Sequence, residues 1–254
     1  MDIVASENKS QSGFTLVELA IVMIIIGLLI GGVLKGQQLI ANAKISATIT
    51  EVNGFIAAMH SFTDTYSNLP GDMRNAETRL SGCTGDNFCE GGDGNGLIWG
   101  NGDGSAVLLA GVWGQGQNDV GSEQAQFFKH LALADLITGV DTSATLVAWG
   151  ELYPAAAIRG GYSIQNVAHS GNDSPGGLVL RLHNSLAGNV EGIAGGGNAS
   201  LSSLEAGNID RKLDDGIPHS GWVTGAGNPN PPHCEEAYDG SKTKDCTLFF
   251  KIGG

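Results

Sequence analysis

The sequence predicts an α+β fold: a long N-terminal helix, a membrane stem continuing into a spine, packed on a C-terminal antiparallel β-sheet head. Three features point there. Residues 14–34 form an apolar run whose only charge is Glu18, and about 20 such residues cross the hydrocarbon of a bilayer as a helix. Residues 35–66 hold no Pro, and Leu39, Ile45, Ile49, Val52, Ile56, Met59, Phe62 and Tyr66 recur at spacings near three and four, the stripe of an amphipathic helix. Past residue 66, Gly, Pro and Asn divide short β-type runs, and an antiparallel sheet built from them needs a helix over one face.

The stem follows a short polar lead. Residues 1–13 carry Asp2, Glu7 and Lys9, a net charge of −1. A secretory signal opens on basic residues and loses its apolar stretch with the cut; here a cut after Gly13 would leave that stretch on the product. Glu18 stands where a carboxylate is costly unless paired, hydrated or near the interface. In the first turn of a helix it also faces the positive end of the dipole.

The stretch Ser12-Gly13-Phe14-Thr15-Leu16-Val17-Glu18, running into an uninterrupted apolar segment, resembles the prepilin signal of type IV pilins and type II secretion pseudopilins. The resemblance is specific over residues 13–66 and looser beyond. It implies that a membrane-embedded prepilin peptidase cuts after Gly13 and methylates the new amino terminus, Phe14. It further implies that the subunit waits in the inner membrane and is then extracted into a helical filament with other copies or other pilins. During assembly Glu18 would meet the Phe14 ammonium of a neighbour. The product would end as an extracellular or cell-surface filament, or in the periplasm if it is a pseudopilin.

If stem and spine are one helix, residues 14–66 reach about 80 Å at 1.5 Å per residue. Lys35 closes the apolar run, suited to snorkelling at the membrane surface. Gly27, Gly31, Gly32 and Gly36 fit either close helix packing through small residues or a weakened segment that unwinds on assembly.

Composition bounds the rest. At 254 residues, with 40 Gly and 15 % charged residues, the chain reads as one loop-rich head plus an extension. The formal charge of −13 disfavours nucleic acid and anionic lipid, so no nucleic-acid partner is expected. Four cysteines fall in two close pairs, Cys83/Cys89 and Cys234/Cys246. Beyond an exporting anchor this suggests two disulfides, pairing of neighbours being favoured among the three possibilities. The spacings fit common zinc sites poorly. Lipase, zinc-protease and phosphate-loop motifs are missing and the six His are scattered, so no enzyme is expected.

Along the head, Pro70 breaks the spine and a Gly-rich connection runs to about residue 122. Asp93 with Asn95, and Asn101 with Asp103 and Ser105, invite a calcium reading. Leu97 stands where a third ligand is needed, and the second group lacks the Gly and distal Glu of an EF-hand. Turn chemistry accounts for Asp-Gly and Asn-Gly unaided, so no cofactor is expected and calcium is the weaker reading. Residues 123–137 predict an amphipathic helix closed by Gly139, and residues 145–149, 161–167 and 178–182 predict strands. Ser202-Ser-Leu-Glu205 is a capping box, opening a helix with Leu204, Ile209 and Leu213 inward and a stop at Gly216-Ile217-Pro218.

On that helix Asp210 and Asp214 lie one turn apart. A solvated face with local ion pairs is favoured over the cation site that the resemblance to some secretion pseudopilins suggests. Residues 222–224 and 247–252 predict the closing strands, tied by Cys234 and Cys246. In type IV pilins such a disulfide-bounded loop often lies outermost, and Pro and Asn at 228–232 suit an exposed loop.

The expected organisation is a leader at 1–13, a long helix at 14–66 with its membrane segment at 14–34, and a Gly-rich head at 67–254. The expected function is a structural subunit of a type IV pilus-like filament. A minor pilin, a type II secretion pseudopilin and a membrane-tethered extracytoplasmic binding protein are the alternatives.

Overall fold

The computed structural model describes residues 13–85, 89–98, 112–113, 121–167, 176–184, 186, 190–191, 199–227, 234 and 237–253. The leader, the Asn101, Asp103 and Ser105 group and the 228–232 loop lie outside them. The chain is α+β and divides into two compact units, Met1–Ala43 and Lys44–Gly254.

Helix α1, Leu16–Tyr66, runs without interruption. In the first unit its large apolar side chains stay exposed, Ile26 by 45 % and Leu16 by 89 %. Among the described residues it is the one helix long and apolar enough to cross a membrane. In the second unit one face of α1 is buried, through Ile45, Thr48, Val52, Phe55, Ala58, Met59 and Phe62. The face is centred slightly off the predicted stripe: Ile49, Ile56 and Tyr66 are partly buried at its margin, and Leu39 is 60 % exposed.

After the short α2, Ala76–Arg79, comes α3, Glu123–Leu133, buried on all sides from Glu123 to Leu131. Its cap is Ser122, whose side chain accepts from the N–H of Ala125. The helix stops short of the expected residue 137. Asp135 adopts a φ of 57°, its N–H donates to Ala132 O, and Leu136 N–H donates back to Leu131 O. That is a Schellman ending with Asp in the left-handed position, one of the few residues besides Gly that tolerates it.

The main sheet has five antiparallel strands: β2 Gly161–Val167, β3 Gly177–His183, β5 Leu201–Ser202, β6 Val223–Gly227 and β7 Lys244–Gly253. Strand β7 is the hub. It pairs with β6 along one edge and with β3 and β5 along the other, since β6 shares Cys246 with β5 and Leu248, Phe249 and Phe250 with β3. Two further two-residue strands, β1 Val112–Trp113 and β4 Val190–Glu191, pair with each other. Helix α4, Ser203–Leu213, starts from the capping box at Ser202 and Glu205.

The strand expected at 145–149 does not form. Gly150 turns the chain at φ 82°, and the stretch keeps a single bridge, Trp149 to Tyr153. Its apolar pattern came from Trp149, which packs edge-on against Tyr153 and His183, and from Leu146, which is 67 % exposed.

The core lies between α1, α3 and one face of the sheet. Phe55 meets Tyr162 at 5.0 Å and Phe128 at 5.7 Å, and Phe128 meets Tyr153 at 5.8 Å. The opposite sheet face is buried as well. There Val167, Val179, Ala226 and Phe249 form a second cluster, flanked by Ser163, hydrogen-bonded to His183 at 2.8 Å, and by Arg181 over the Phe249 ring.

Candidate functional site: the amino-terminal signal

The first turn of α1 is organised by a reciprocal cap. The Thr15 hydroxyl accepts from the N–H of Glu18 at 3.2 Å, and Glu18 Oε2 accepts from both the N–H and the hydroxyl of Thr15 at 2.9 Å. Thr15-Leu-Val-Glu18 is therefore a capping box, satisfying backbone donors that the start of a helix leaves without partners. All of these bonds to the carboxylate use Oε2. Phe14, immediately before the cap, is 87 % exposed, and Gly13 precedes it with open space where a Cβ would stand. The anionic group is thus fixed one turn into the helix, four positions from Phe14.

The cysteines are joined as Cys83–Cys89 and Cys234–Cys246, with Cα separations of 5.1 and 5.8 Å. Near the first bridge, His130 is wholly buried. Its Nδ1 accepts from Gly71 N–H at 2.9 Å, which leaves Nε2–H to donate to Glu90 O at 3.0 Å. Burial pushes the imidazole down to about 4, because the charged form would lose its hydration and Nδ1 could no longer accept.

Of the acidic candidates, Asp93 turns on itself: its carboxylate accepts from the N–H and side-chain amide of Asn95. The Gly-rich loop instead wraps around Asp72, whose carboxylate accepts from the N–H groups of Gly94, Asn95 and Gly96 at 2.6 to 3.1 Å. A Cβ at Gly92 would stand 2.5 Å from Asp72 Cα, so the loop needs Gly to close on that residue. Glu123 joins the cluster by accepting from Asp93 N–H. Burial raises the Asp72 pKa against the pull of those donors.

Asp210 and Asp214 are brought together with Asp215, but protein donors engage each of them. Tyr238 hydroxyl donates to Asp210 at 2.9 Å, and Gly216 N–H at 3.2 Å. Trp222 and Val223 N–H donate to Asp214, and Ile217 N–H to Asp215. The helix face carrying Asp210 is buried, not solvated. Burial pushes Asp210 up to about 6, with Asp215 and Asp214 adding to the rise. Tyr238 sits in a slot formed by two glycines: Cβ atoms at Gly207 and Gly225 would meet its side chain at 2.9 and 2.7 Å.

Thr15, Asp72 and Tyr238 escaped the sequence reading. For Thr15 the signal was available, since Thr-x-x-Glu is the same pattern that marks Ser202. Asp72 and Tyr238 act on residues far along the chain.

Residues 8–34 match a family model described as the prokaryotic N-terminal methylation motif. No curated protein and no solved structure matches the chain.

Proposed function

Because residues 8–34 carry the prepilin signature of type IV pilins and pseudopilins, we propose that the chain is a structural subunit of a type IV pilus-like filament. Prepilin peptidase removes residues 1–13, Phe14 is N-methylated, and residues 14–34 hold the subunit in the inner membrane until it is drawn into a filament. The observation that carries this reading is the coincidence of the motif with an α1 whose apolar side chains the chain itself leaves exposed. Exposed apolar area of that extent calls for an apolar partner, first lipid and then neighbouring stems. An enzymatic role has no part in this reading, and the filament or cell surface is the destination.

Glu18 then has two successive tasks. In the membrane it closes the cap with Thr15 through Oε2. In the filament the same carboxylate meets the Phe14 amine of a neighbour, so that two charges enter a dry core as a pair. Stranding one member of such a pair costs several kcal/mol.

Glu18→Gln separates the tasks, since Gln also serves in a capping box. The variant is expected to be cleaved and methylated yet to stay out of filaments. Normal incorporation would remove the ion pair from the account. A minor pilin is the second reading, favoured by the size of the Lys44–Gly254 unit, with a type II secretion pseudopilin as the remaining alternative. Immunolabelling at filament tips, along shafts or only in the envelope separates these roles.

A further inference from the structure

A surface groove of about 290 Å³ lies in the Lys44–Gly254 unit, between α1 and the turn that follows α3. Phe55, Leu136 and Ile137 give it an apolar lining, and Glu51 and Asp135 add carboxylates. Its depth comes from Gly54, where a Cβ would find nothing within 4 Å. Gly inside a helix costs about 1 kcal/mol relative to Ala, and among the described residues no contact requires it here. Glu51 is held in place by Tyr162 hydroxyl at 2.7 Å and Ala157 N–H at 3.2 Å. Asp135 and Leu136 are set by the Schellman ending of α3.

The complementary surface is on α1 itself. At about 3.6 residues per turn, Gly36, Leu39, Ile40 and Ala43 share one side of the helix, with Lys35 and Lys44 bordering it on either hand. Leu39 and Ile40 are each 60 % exposed. They lie past the 14–34 run, so lipid does not cover them in the reading above. Lys35 and Lys44 are the only cations along α1, in a chain of charge −13 whose copies otherwise repel one another. An apolar stripe edged by two lysines matches an apolar groove edged by two carboxylates.

We propose that the groove at Glu51, Gly54 and Asp135 receives residues 35–44 of a second copy of this chain. The contact rests on the filament-subunit reading and gives it a register. Along the sequence, the middle of residues 35–44 precedes Gly54 of the groove by about 14 residues, close to four helical turns. Every copy carries both halves of the contact, so the pairing is head-to-tail and propagates as an open helix.

The test uses the full chain in cells that assemble it. No cysteine is free, so an Ala43→Cys, Thr138→Cys double variant, with Thr138 on the groove wall, reports only new neighbours. Oxidised filaments are expected to run as a ladder of multiples of the subunit on a non-reducing gel, and each single variant is not. Gly54→Leu projects a side chain into the groove from a position where its Cβ meets no described atom within 4 Å. It is expected to keep the wild-type melting behaviour and lose polymer. Filaments of the double variant without a ladder, together with Gly54→Leu assembling at the wild-type level, would overturn the contact and leave the filament reading standing. A Thr138→Cys adduct to a different protein would overturn the second-copy assignment. A wild-type chain that forms no polymer would overturn the filament reading first, and this register with it.

Discussion

Acidification pulls the folded unit in two directions, and Asp210→Asn is expected to expose the hidden one. His130 titrates near 4 in the folded chain against about 6.5 when unfolded. Its contribution is therefore fully present above pH 6.5 and is lost as the pH falls towards 4. A gap of about 2.5 units at about 1.36 kcal/mol each amounts to roughly 3 kcal/mol. Asp210 works oppositely. Its folded value of about 6 exceeds the unfolded value of about 3.9, so the folded state takes up its proton first and gains stability as pH falls from 6 to 4. That opposing gain is of the same order, so the two largely cancel in the wild type. Replacing Asp210 by Asn removes the gain and leaves the loss at His130 uncompensated. Urea unfolding of the full chain in detergent at pH 7, 6, 5 and 4 reads both profiles. The variant is expected to lose more than the wild type over that range by the Asp210 contribution, at most about 2 kcal/mol once solvent screening of a partly hydrated carboxylate is allowed for. Parallel profiles would refute the opposed titrations.

Further outcomes follow from individual contacts. Thr15→Ala removes the cap of α1, a loss of about 1 kcal/mol in the first turn, which amide exchange at Leu16 to Leu19 in micelles should register as roughly fivefold faster. Phe128→Ala empties the centre of the aromatic cluster and should lower unfolding stability by about 3–5 kcal/mol, with the helicity of residues 16–43 unchanged. Tyr238→Phe keeps the ring in its two-glycine slot but withdraws the donor from Asp210. A cost of about 1–3 kcal/mol is expected, accompanied by faster proteolysis between Cys234 and Cys246. Wild-type cleavage rates there would show that the hydroxyl does not anchor the loop.

How much of this was legible beforehand depended on the range of the interaction involved. Helix α1 could be read because 3.6-residue periodicity and the lack of Pro are local properties. The box at Ser202 stands out because it opens an amphipathic stretch after polar residues, whereas the same pattern at Thr15 is masked by an apolar run in which Glu18 reads as an isolated charge. The end of α3 was misplaced because Gly139 is the conventional stop, whereas Asp135 supplies the left-handed turn four residues earlier. Residues 145–149 have the apolar content of a strand, yet strand formation needs a partner edge, which composition cannot supply.

The Gly-rich loop shows the same limit. Asp93-Gly-Asn-Gly reads as turn chemistry, which is correct for Asp93, but the carboxylate organising the loop is Asp72, some 22 residues from Gly94. The polar residues Ser163, Arg181 and His183 alternate like a solvated sheet face. They are buried because polar partners and an aromatic ring meet them there. Nor could sequence place Asp135 beside Glu51, since that neighbourhood is made by the packing of α3 against α1.

The central claim is that the apolar stem outlives processing and ends among the stems of other copies. The most direct measurement is the amino-terminal residue of the working protein and its modification, read by mass spectrometry of material recovered from the cell surface. N-methylated Phe14 is the expected result. A product that begins beyond residue 34, or one that still begins at Met1, would contradict it.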